Sequence, residues 1–131
     1  MRALIPIAAV CFFACAPKKN TPLEDIPKLT KLSDVMDNQS TVADPQFKKI
    51  GAASYGDADW AEFADAGTRL QATSAKIKDF SKGPEFDALA LRLNEKARAL
   101  SDAAQSKDAG AASQALSEIK ATCKECHSKF R

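Results

Sequence analysis

The chain has 131 residues, enough for one domain with a modest core, and its 19 Lys plus Arg nearly balance 17 Asp plus Glu. No long run of like charge and no basic stripe with interleaved aromatics occurs, which excludes a nucleic-acid footprint. Ala is frequent, β-branched residues are few, and Gly and Pro are sparse after residue 45, a composition that favours helices over sheets.

The first segment is expected to be an export signal spanning residues 1–14. Arg2 supplies a positive start, and the apolar run from Ala3 to Ala14 is too short for a membrane span, which needs roughly 17–25 residues. Phe12-Phe13-Ala14-Cys15 resembles a bacterial lipobox, with Cys15 lipidated as the first mature residue; cleavage after Ala16, giving a soluble product, is the rival reading. The polar, proline-bearing stretch that follows, residues 15–27, is expected to be a tether from a lipid anchor to a domain over 28–131.

Four helices are expected in that domain. Leu29, Leu32, Val35 or Met36, Gln39 and Val42 or Ala43 give the first a partial apolar seam, with Asp44-Pro45 ending or bending it. A short turn through Phe47 and Ile50 and the loop 51–56 lead to the second helix, Asp57 to Phe80. Its seam is Trp60, Phe63, Gly67, Leu70, Ser74 and Ile77, with Asp57 or Asp59 capping the start. Gly83-Pro84 opens the third, which runs to about Lys107 with Phe86, Leu89 or Ala90, Leu93, Ala97, Leu100 and Ala104 inward. The fourth runs from Asp108 to Lys129, and its stripe of Ala109, Ala112, Leu116, Ile119, Cys123, Cys126 and Phe130 puts both cysteines toward the core. Short junctions make neighbours antiparallel, so the expected fold is all-α, an up-down-up-down four-helix bundle.

The chemistry concentrates at the end. Of four cysteines, Cys11 and Cys15 belong to the signal region, leaving Cys123 and Cys126 followed at once by His127, the single histidine. Cys123-Lys124-Glu125-Cys126-His127 is a C-x-x-C-H haem-attachment motif. Two thiols can form thioethers with the two vinyl groups on one edge of a porphyrin while the imidazole reaches the iron. At about 100° per residue, Cys126 lies roughly 60° to one side of Cys123 and His127 roughly 40° to the other, so all three share a helix side. A structural zinc site normally needs four ligands, and a thioredoxin-like pair belongs in a βαβ unit; neither context is present. One covalent haem c per chain is expected, with His127 as axial ligand.

The terminal run from Cys123 to Arg131 resembles the end of cytochrome c prime and its low-spin relatives, the class II c-type cytochromes, where the motif closes the fourth helix and an aromatic residue and an arginine follow, here Phe130 and Arg131. Class I cytochromes place the motif near the N-terminus. The resemblance implies that a side chain from the first helix covers the other face of the iron. In low-spin members it is a methionine, and Met36 is the sole methionine of the mature chain; in five-coordinate members it is apolar, for which Leu32 and Val35 are candidates. It also implies frequent dimerisation, although the chain shows no interface signature, and Arg131 is a candidate partner for a haem propionate. Lys124 and Lys129 read as a wet face or a docking aid, and Trp60 and Phe63 as core or pocket wall.

The expected function is a non-enzymatic one-electron carrier in the periplasm, lipid-anchored to a membrane and serving a redox partner protein, since no second histidine and no nucleophile with a base is present. A five-coordinate protein binding nitric oxide or carbon monoxide is the alternative, and a haem-free lipoprotein using the two cysteines as a dithiol is a third reading.

Overall fold

The computed structural model describes residues 20–131, so the signal segment, Cys15 and the first part of the tether lie outside the described residues. It is an all-helical four-helix bundle: α1 Leu32–Phe47, α2 Asp57–Ile77, α3 Pro84–Ser106 and α4 Ala109–Phe130, with a 3₁₀ turn at Leu23–Lys28 before α1 and another at Lys78–Phe80 after α2. The apolar seams close on one core, in which Val35, Phe63, Ala97, Leu100 and Ile119 are fully buried.

Local chemistry fixes the helix ends. The Asp59 carboxylate accepts from the Gly56 N–H at 2.9 Å and so caps α2 from inside its first turn. Asp57 instead pairs with Lys107 at 2.8 Å. Gly83 adopts φ 114°, open to glycine, and places Pro84 at the first position of α3, where its missing N–H costs nothing. Asp108 caps α4 by accepting from Ala111 N at 2.9 Å.

Three expectations are corrected. Residues 21–27, expected to lie within a tether, are instead docked on the bundle. Thr21 exchanges hydrogen bonds with Asn38 at 3.2 and 3.1 Å, its carbonyl accepts from Arg69 at 2.7 Å, and Ile26 is fully buried. Pro45 does not end α1, which continues to Phe47: a proline one turn from the C-terminus removes few ladder bonds. Regular α2 stops at Ile77, and the last turn tightens to 3₁₀ through Phe80.

α3 packs tightly against α2 at Gly67. A Cβ there would stand 2.8 Å from the Ala97 carbonyl and 3.0 Å from the Ser101 nitrogen, both backbone atoms. Gly67→Ala should therefore lower stability by ~1–3 kcal/mol despite alanine's better helix propensity, read as a lower urea midpoint at unchanged slope.

Surface carboxylates are held ionised by cations. Lys107 lowers the pKa of Asp57, Lys49 those of Asp59 and Glu62, Lys96 that of Glu118, and Arg92 with Lys129 that of Glu125. Their folded pKa values lie below the unfolded ones, so the stability they add is complete above the normal carboxylate range and lost as pH falls through the folded values. The melting temperature should be flat from about pH 7 to 5 and decline below about pH 4, less steeply in high salt where exposed pairs are screened.

Candidate functional site

α1 lies along α2 and touches α4 at few points, so a groove remains between α1 and α4. The start of α3 closes its floor. Three cavities share this groove, of about 690, 240 and 20 Å³. Met36 and His127 line all three, one from α1 and the other from the facing α4. Cys126 lines the largest and the smallest, and Cys123 the smallest and the intermediate one.

α4 sets the motif's three side chains by helical rotation. Thr122 takes the inward position, 3% exposed, with its hydroxyl donating to the Glu118 carbonyl at 2.8 Å. Cys123 and Cys126 are half-buried beside it, packed against the edge of the core and turned to the groove, and His127 is exposed at the groove wall. The expected stripe holds at Ala112, Leu116 and Ile119, which are buried, and at its end Thr122 is buried more deeply than Cys123 and Cys126, which pack against the core from the groove side. Both thiols are free. Burial pushes Cys123 up to about 11, and burial raises Cys126 also, with Lys82 pulling the other way. Reactive dithiols instead show lowered pKa values, which argues against the dithiol reading.

The end of α4 is pinned. Phe130 meets Phe86 edge-to-face with ring centroids 5.2 Å apart, and Lys82 Nζ donates to the Phe130 carbonyl at 2.9 Å. Glu125 receives Arg92 from α3 at 2.5 Å, while Lys129 bridges Glu85 and Glu125. Lys129 is thus a structural tie, whereas Lys124 is exposed and lines the 240 Å³ cavity. Arg131 and Lys82 are exposed cations on the wall of the main cavity, together with Asp37 and Asp44.

Two distal expectations separate. Leu32 lines the main cavity, but Val35 is fully buried in the core and lines none of the three, because three residues along a helix leave the two side chains about 60° apart around its axis. Trp60 and Phe63 stack edge-to-face with Tyr55 at 5.3 and 4.9 Å and do not line the groove, so they are core. Lys82, Phe86 and Ser40 were not picked out from the sequence as groove residues. The antiparallel order carried the signal for the first two, since the start of α3 must lie beside the end of α4.

The residues fit a flat macrocycle carrying two vinyl groups and two carboxylates. The main cavity lies within the roughly 300–1,000 Å³ typical of cofactor sites. Leu32, Met36, Phe86 and Phe130 give it apolar walls, Cys126 and His127 line one side, Cys123 lines the two adjoining cavities, and two cations stand on the wall. The family model of cytochrome c′ matches residues 28–131. Cytochrome c′ of Pararhodospirillum photometricum is 37% identical over 71 residues, covering 54% of this chain and 57% of that relative, so the aligned part spans little over half the relative's length. No solved structure matches the chain significantly. Fold, groove and sequence match agree, and the chain belongs to the cytochrome c′ family of haem-binding proteins.

Proposed function

We propose that the chain is an exported monohaem c-type cytochrome that carries single electrons at the periplasmic face of a bacterial membrane, anchored through lipid on Cys15. Cys123 and Cys126 each add a thiol across a vinyl group: sulfur gains a bond to carbon and the neighbouring vinyl carbon gains the hydrogen. His127 would hold the haem iron from the α4 side. Bound haem supplies a reversible ferric–ferrous couple, and a reduced donor protein gives the electron that an oxidised acceptor protein takes. No substrate is transformed.

The observation that carries the reading is that Met36 and His127 line the same three cavities from facing helices. A thioether on the α1 side would give His/Met ligation, which raises the reduction potential and suits electron transfer. Leu32, Phe86 and Phe130 keep water from the pocket, and Arg131 and Lys82 can neutralise the propionates.

The 240 Å³ cavity beside Met36 favours a second reading, in which Met36 only fills space and a small gas enters on that side. Ferric and ferrous absorption spectra with and without carbon monoxide decide between them. The expected result is a low-spin spectrum with a weak band at the red end and little response to carbon monoxide. A high-spin spectrum that shifts on adding the gas would select the second reading.

A further inference from the structure

Gln39 follows Met36 by three residues, so the two share a helix face, and it lines two of the cavities that Met36 and His127 line. It is only 7% exposed, and its Nε2 donates to Thr73 Oγ1 of α2 at 3.2 Å. Thr73 is fully buried, and its own hydroxyl faces the Arg69 carbonyl at 2.9 Å and the Leu70 carbonyl at 3.2 Å. A hydroxyl has one hydrogen to give, and here both other neighbours are acceptors. Thr73 can therefore only accept from Gln39, which fixes the amide one way round, with its nitrogen toward α2 and its carbonyl oxygen turned away.

This bond sits where it can control the groove. Because α1 scarcely touches α4, the width of the gap depends on how α1 is seated on α2. A second side-chain bond from α1 to α2, Gln46 to Glu62 at 3.0 Å, lies at the far end of α1 and reaches a carboxylate that Lys49 also holds. Gln39–Thr73 is buried and one helical turn from Met36, so removing one partner leaves a buried polar group of the other unsatisfied.

We propose that Thr73, acting through Gln39, is a positioning residue that seats α1 so that Met36 is presented to the α4 wall. The proposal rests on the reading of Met36 as the axial ligand. Thr73→Val keeps the shape and removes the acceptor, Thr73→Ser keeps the hydroxyl, and Gln39→Leu removes the amide. In the haem-loaded protein, Thr73→Val and Gln39→Leu should raise the high-spin fraction and speed carbon monoxide binding about tenfold, as expected when a buried polar partner is lost, while Thr73→Ser stays near wild type. If Thr73→Val lowers the melting temperature but leaves the ferric spectrum and the carbon monoxide kinetics unchanged, the bond is merely structural and the proposal is overturned. Met36→Ala separates the two failures. If it changes the spectrum and Thr73→Val does not, only the positioning role falls; if Met36→Ala changes nothing, the axial-ligand reading falls and takes this proposal with it.

Discussion

Protein carrying Cys123→Ala and Cys126→Ala together, made in a host able to mature c-type cytochromes, should be colourless and carry no haem mass. Wild type, processed in the same way, should carry the mass of one haem in addition, keep it after acid extraction, and resist alkylation at both sulfurs. The effect is all-or-none because these two residues, half-buried on one side of α4 and free of any disulfide, would supply both thioethers of the proposed attachment. The helices should still form in the variant, since Val35, Phe63, Leu70 and Ile119 bury themselves away from the groove. A mass difference between wild type and the double variant no larger than the two lost sulfurs, with both wild-type sulfurs open to alkylation, would remove the basis for a covalent haem.

Met36→Ala should have the second-largest effect. With the thioether gone, the ferric spectrum should turn high-spin, carbon monoxide should bind readily, and the reduction potential should fall on the order of 0.1 V, well inside the ~0.8 V that axial ligands command. Met36→Leu separates ligation from packing. It keeps most of the apolar volume of a half-buried side chain and should cost under ~1.5 kcal/mol of stability, yet it should show the same spectrum as alanine. A leucine variant spectrally identical to wild type would mean that Met36 only fills space.

The groove shows how far sequence reasoning reaches. The spacing of Cys123, Cys126 and His127 was legible because three residues within one helical turn carry their relative directions with them. Met36 was legible only as the one candidate on the right helix. Leu32 and Val35 looked equivalent on the sequence, yet one lines the cavity and the other is fully buried. Thr122 was missed as an inward residue because a hydroxyl breaks an apolar stripe, although a helical threonine can satisfy itself on the carbonyl four residues back. The docking of residues 21–28 was hidden for a related reason: proline-rich polar chain reads as tether, and only Asn38 and Arg69, remote in sequence, turn it into part of the bundle.

The sequence by itself determined four helices, their inward faces through most of α2, α3 and α4, and a C-terminal pair of thiols with a neighbouring imidazole. These are properties of short-range periodicity, which the chain carries at every window. Only the tertiary structure decided that α1 leans on α2 and leaves a gap beside α4, and therefore which side chains face that gap. Helical periodicity fixes the angle of a residue about its own axis, whereas a groove depends on the distance between two axes, and that distance is set by contacts such as Gly67 against Ala97 and Gln39 against Thr73.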